Sequence, residues 1–132
     1  NKVGWFDEDY FLYYDDHDLM YKSLKMGFQH WYTPKAVGYH DTATSSNAKY
    51  SNQQWLYYSS RGSWMFLHKN FSYLSISGFI YFISNLVKMF AGLFFIFLKS
   101  QKTEILHNLK IYILGNFHGF FQKYKGYYNL KR

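Results

Sequence analysis

The run from Tyr73 to Leu98 constrains the fold more than any other part of the chain. It holds two apolar stretches, GFIYFISNLV and MFAGLFFIFL, separated by Lys88 and bounded by Lys69 and Lys99. About 20 mainly apolar residues suffice to cross a bilayer, so the length qualifies. Ser75, Ser77, Ser84, Asn85 and Lys88 interrupt it, and a central lysine costs roughly 2.5–3.5 kcal/mol to insert. Lysines that snorkel around an apolar helix suit one lying in the membrane interface. A clean span and a buried helix of a larger enzyme remain open as alternatives.

Charge divides the chain at the same place. Through Asn70, seven lysines and arginines face seven acids; from Phe71 on, eight bases face Glu104 alone, so the whole +7 lies in the second half. A neutral first part, 1–70, and a basic, apolar second part, 71–132, imply two jobs. Thr103 to Tyr128 reads as a further helical region, broken at Gly115 and Gly119. The end, Lys123 to Arg132, mixes bases with Tyr124, Tyr127 and Tyr128, a mixture that fits the headgroup zone of a membrane. The bases lie in an apolar context without a nucleic-acid motif, so no nucleic acid is expected as a partner. With no cysteine, disulfides, thiolate metal sites and cysteine nucleophiles are excluded.

The chemistry-bearing residues gather at the front, in Gly4 to Leu19, GWFDEDYFLYYDDHDL. Asp7, Glu8, Asp9, Asp15, Asp16 and Asp18 alternate with rings. Carboxylates set among rings repel one another and lose solvation, so at least one is expected to have a raised pKa. A helix is expected over His17–Met26, stopped at Gly27. Asp15, Asp16 and Asp18 then sit at or near its start, where the dipole tolerates negative charge. Helix capping alone accounts for them equally simply.

Beyond this helix, Phe28–Thr33 and Ala36–His40 read as two short strands around Pro34. His40 is followed by Asp41 and a polar stretch; a neutral imidazole with a nearby carboxylate can ligate a metal, although a lone histidine after a strand is more often packed or on the surface. Thr42–Ser51 reads as a loop, either an ordinary connection or a flap over a ligand. Asn52–Asn70 reads as a helix with Tyr57, Arg61, Trp64 and His68 on one face. There Arg61 sits among rings, in reach of a cation–π contact, and Gly62 should loosen the helix.

Three ordered blocks carry a resemblance. They are Gly4–Leu19, then Tyr32-Thr33-Pro34-Lys35-Ala36-Val37-Gly38-Tyr39-His40, then Tyr57-Tyr58-Ser59-Ser60-Arg61. Together they resemble the acceptor-side part of family 2 glycosyltransferases, in particular the bacterial rhamnosyltransferase-like enzymes of surface polysaccharide synthesis. Asp15 stands where that family usually has Glu, Tyr10 where it has Phe, and Gly62 where it has Asn; the glycine usual after the histidine is absent. The resemblance implies an α/β fold, the C-terminal half of a GT-A (Rossmann-like) domain, followed by amphipathic helices. It implies an inverting enzyme that moves a sugar from a nucleotide-sugar donor to a glycan or lipid-linked acceptor at the cytoplasmic face of the cell membrane.

Residue by residue, the resemblance makes Asp16 the catalytic base with Asp15 and Asp18 in support. It places Trp5, Asp7, Glu8 and Arg61 at the substrates, Arg61 near the diphosphate. It makes His40 a ligand of a divalent metal, Mg or Mn. Asn1 in place of Met, and the missing Asp-x-Asp half, mark the chain as the C-terminal part of a longer enzyme, inactive alone. The competing expectation is a non-catalytic membrane-surface binding or scaffold protein, resting on the basic, aromatic second half.

Overall fold

The computed structural model describes residues 3–39 and 48–123. Four helices follow one another: α1 (Asp15–Lys25), α2 (Ala48–Asn70), α3 (Ile76–Lys99) and α4 (Ile105–Phe120). No strand forms among the described residues, which overturns the expected α/β, GT-A (Rossmann-like) architecture. Residues 28–39, expected to hold most of two strands, are exposed irregular chain with a turn at Pro34 and Lys35, and Trp31 and Tyr32 lie almost fully in solvent. The physical reason is a missing partner. A strand is stable only when a neighbour completes its ladder of N–H and C=O groups, and no described segment runs alongside this one.

Helix ends also move. α1 begins at Asp15 rather than His17 and ends before the turn at Met26 and Gly27. α2 starts at Ala48, inside the stretch expected to be loop; residues 42–47 of that stretch lie outside the described residues.

α2 is the hub, and its main partner is α4. Tyr57, Arg61 and Trp64 are buried, and His68 is half-buried, on the face that the sequence periodicity marks out. Trp64 Nε1 donates to Asn116 Oδ1 at 2.9 Å and packs edge-on against Phe120, while the Tyr57 hydroxyl lies 2.7 Å from His118 Nδ1. Leu56, Tyr58, Ile96, Ile111 and Tyr112 fill the core between α2, α3 and α4.

The glycines expected to break the last helix do the opposite. α4 runs unbroken through Gly115 and Gly119, which are buried against α2. A Cβ at Gly115 would stand 2.2 Å from Ser60 Oγ and 2.5 Å from the Tyr57 carbonyl oxygen; one at Gly119 would stand 2.5 Å from the Arg61 carbonyl oxygen. Two small residues four apart form one flat strip on a helix, so the backbones approach closely. The packing gained there offsets the roughly 1 kcal/mol that each helical glycine costs relative to alanine.

α3 lies on this pair. Ser75 caps it by accepting from the Gly78 amide at 3.0 Å. Asn85, one of the polar interruptions, turns inward, donating to the Ser63 carbonyl at 3.1 Å and accepting from the Ser63 hydroxyl. Tyr112 of α4 donates to the Lys88 carbonyl at 3.0 Å. The opposite face of α3, through Ile76, Phe79, Ile83, Val87, Phe90, Phe94 and Phe97, is exposed.

Close approach at α4 gives a stability prediction. Gly119→Ala should destabilise the fold by about 1–3 kcal/mol despite alanine's better helix propensity, because the obstruction is α2 backbone, which cannot swing aside. Gly38→Ala, with nothing within 4 Å of the added carbon, should be within about 0.5 kcal/mol of the parent. Urea unfolding midpoints of the two variants check this.

Candidate functional site

The acidic segment folds back on α2 as a series of tight turns. The Tyr10 amide donates to the Asp7 carbonyl at 3.1 Å, the Phe11 amide to Glu8 at 3.2 Å and the Leu12 amide to Tyr10 at 2.7 Å. Phe11, Tyr13 and Tyr14 have φ of 63°, 62° and 69°, the left-handed region that bulky residues avoid at a cost of about 1–3 kcal/mol each. Two contacts with α2 hold this backbone. The buried Arg61 guanidinium donates from Nη2 to the carbonyls of Asp9 and Tyr10 and lies over the Tyr58 ring at 5.2 Å. Tyr14 rests on Gly62, where a Cβ would come within 2.9 Å of its ring. Gly62, expected to loosen α2, sits inside an uninterrupted helix and makes room for this turn.

The carboxylates separate into distinct environments. Asp18, only 1% exposed, takes Lys22 Nζ at 2.5 Å, Asn70 Nδ2 at 2.6 Å and the Tyr10 hydroxyl at 3.2 Å. It ties the acidic segment, α1 and the end of α2 together. Burial and the Asp18 charge push the Tyr10 phenol far up, so it remains a donor. Asp7 and Asp9 share Lys69, each at 2.7 Å, and Lys22 lies 3.8 Å from Asp7. Burial pushes the Asp7 carboxyl up, but bonds from Lys69 and the Asp9 amide, with the Lys69 and Lys22 charges, carry it below its ordinary value. Burial likewise pulls Lys69 down, and the two carboxylates more than reverse it.

Asp16 stands apart. Its side chain is 66% exposed and pairs with His17, accepting from the His17 amide at 2.8 Å with His17 Nδ1 also at 2.8 Å. The bond from the His17 ring holds its carboxyl below the ordinary value. Crowding of Asp15, Asp16 and Asp18 had pointed to a raised pKa; at Asp16 the neighbouring imidazole reverses the sign. Asp15 opens α1 beside it, partly exposed.

The remaining expected site residues are placed as follows. Trp5, 82% exposed, and Glu8 lie on the surface of the segment. Arg61 lies beneath it, enclosed by rings. His40 lies outside the described residues, and among the described residues no three His, Asp or Glu side chains converge as a cation site. Sequence reasoning missed Tyr10, Lys22, Lys69 and Asn70. Lys22 was findable, four residues after Asp18 on the same helix face; Lys69 and Asn70, more than fifty residues away, carried no local signal. No protein-family model, curated protein or solved structure matches the chain.

The Lys69 clamp sets a pH dependence. Asp7 is more acidic folded than unfolded, so its contribution is fully present above the unfolded value of 3.8 and disappears as pH falls through the lower folded value. Lys69 acts at the other end: its contribution holds below 10.5 and is lost as pH rises through the higher folded value. Lys69→Met should lower stability at pH 7 by roughly 1–2 kcal/mol and flatten the loss of stability below pH 3.8. Thermal melts of parent and variant between neutral and acid pH measure both effects.

Proposed function

We propose that the chain is the acceptor-side part of an inverting glycosyltransferase of the family 2 kind, with Asp16 as its base. The proposal starts from the three sequence blocks. The observation that carries it further is the division of labour among the carboxylates. Asp18, Asp7 and Asp9 are engaged by Lys22, Lys69, Tyr10 and Asn70, while Asp16 faces solvent on the first turn of α1. A base must reach the proton it removes, and Asp16 is the most exposed carboxylate of the helix start, beside the partly exposed Asp15 and the buried Asp18. It would take the proton from the attacking hydroxyl as that oxygen displaces the nucleotide from the anomeric carbon. His17 orients the carboxylate and, when protonated, balances its charge. Trp5 and Glu8 would meet the acceptor from the exposed segment, and Arg61 acts beneath it as a clamp on the turn that presents α1.

The nucleotide-sugar donor, the glycan or lipid-linked acceptor and a Mg or Mn ion held with His40 belong to the same proposal. Among the described residues no group of side chains forms a cation site.

The outer face of α3 supports a position at a membrane surface; the cytoplasmic side is what the resemblance implies. The helix has 24 residues, with a mean hydropathy of 1.8 over its most apolar 18-residue window, and apolar side chains on both faces. A helix apolar all round is buried or meets lipid. Its inner face is committed to α2, which carries Arg61, Lys69 and several buried polar groups. Crossing a bilayer would carry α2 into lipid, so lying along the surface is the better fit. The same face favours a second reading, membrane-surface binding without catalysis.

Sugar transfer by the full-length gene product separates the two readings. Asp16→Asn should cut turnover by roughly 10²–10⁴-fold and leave the helical content unchanged; near-normal turnover removes Asp16 as the base. The acid limb of the parent's rate should fall below 3.8, because Asp16 stays ionised to lower pH than a free aspartate.

For the membrane face, Phe90→Gln with Phe94→Gln should weaken flotation with anionic vesicles at least about tenfold with unchanged melting. Parent binding should decline as salt rises.

A further inference from the structure

Between α2 and α3 runs a groove of about 810 Å³. Along α2 it extends from Asn52 to Ser63, eleven residues or roughly 16 Å of helix. Its middle is apolar, formed by Leu56, Met89, Gly92, Phe95 and Ile96, with the half-exposed Trp55 at the rim.

The polar groups on its walls are mostly spoken for. The hydroxyls of Ser59 and Ser60 donate to the Trp55 and Leu56 carbonyls, and Ser63 and Asn85 satisfy each other. A free sugar, which needs many open hydrogen-bond partners, is poorly matched; a hydrocarbon chain fits.

Two cations line the groove, Lys88 and Lys99, against one acid, Glu104. Neither lysine meets a carboxylate among the described residues; Lys88 Nζ lies 5.3 Å above the Tyr81 ring and Lys99 Nζ 5.9 Å above Phe95. Eleven residues apart on one helix, they are roughly 16 Å apart and cannot share one anion. Lys88 is the one near the acidic segment. Tyr14, directly before Asp15, lines the groove and lies close to Tyr81, over whose ring Lys88 sits.

We infer that this groove takes the hydrocarbon chain of a lipid phosphate, with the phosphate at Lys88 and the chain running past Met89 and Phe95 toward Lys99. The inference rests on the glycosyltransferase reading only in making this lipid the carrier of the acceptor sugar. A phosphate at Lys88 directs whatever it carries toward Tyr14 and the start of α1, where Asp16 stands. The chain leaves beside the lipid-facing side of α3.

Titration calorimetry of the whole chain with dodecyl phosphate below its micelle concentration tests this. Saturable binding of one molecule per chain is expected. It should be about tenfold weaker in Lys88→Gln, unchanged in Lys99→Gln and abolished in Ser59→Phe, which fills the groove. Both lysines are exposed, so their variants should fold as the parent does, checked by circular dichroism.

Inorganic phosphate should not compete at the same concentration, and dodecyl maltoside, with the same chain and a neutral head, should bind at least about tenfold more weakly. Equal binding of the maltoside, or no effect of Lys88→Gln, overturns the lipid-phosphate site. Competition by inorganic phosphate overturns the role of the chain. Asp16→Asn should bind dodecyl phosphate as the parent does. If dodecyl phosphate fails to bind while Asp16→Asn abolishes turnover, the groove proposal falls alone. If it binds while Asp16→Asn turns over normally, the catalytic reading falls and the lipid site stands.

Discussion

Burial of α2 is the constraint on which the other elements depend. Its core face is not simply apolar: Gln53, Ser60, Arg61, Ser63 and Asn70 are buried in it beside Tyr57, Trp64 and Leu67. A guanidinium cannot shed its charge to ease burial, and buried amides and hydroxyls need partners. Each neighbouring element supplies one. The acidic segment offers its carbonyls to Arg61, α3 offers Asn85 to Ser63, α4 offers Asn116 to Trp64, and α1 offers Asp18 to Asn70. The polar demands of one helix thus select where the other elements sit, and the apolar contacts fill in around them.

The same arrangement explains how the turn before α1 survives. Three left-handed residues in four positions would relax in an isolated peptide. Here Arg61 holds the carbonyls at its start, Tyr14 wedges against Gly62, and Asp18 anchors the first turn of α1 through three partners. The strain places Asp15 and Asp16 on the outside of the turn and Asp18 on the inside, so carboxylates within four residues of one another experience opposite surroundings. Strain stored next to an exposed carboxylate and held by buried charge is the arrangement expected where geometry matters more than local stability.

α3 joins the two halves of the molecule by having two different apolar faces. Its inner face carries the polar exceptions, Asn85 and the small Gly92, which fit Ser63 and Tyr112. Its outer face carries phenylalanine and isoleucine without compensation. Close packing at Gly115 and Gly119 brings α4 tightly onto α2, and α3 rides on that pair with a groove left beside α2.

The sequence by itself determined the helices and much of their faces. A long apolar run located α3, and aromatic periodicity located α2 and placed Tyr57, Arg61, Trp64 and His68 on one side, because a helix face depends only on residues three and four apart. It also concentrated charge and apolar surface after Asn70. Tertiary structure decided what local spacing cannot encode. Residues 28–39 have strand-like composition, but pairing depends on a neighbour. Gly115 and Gly119 look like breaks until α2 lies against them. Asp18 and Asp16, two residues apart in one acidic run, differ because Tyr10, Lys22 and Asn70 converge on the first while the second, among the described side chains, meets His17. Burial and long-range partners set the fate of a carboxylate, and those exist only once the chain has folded.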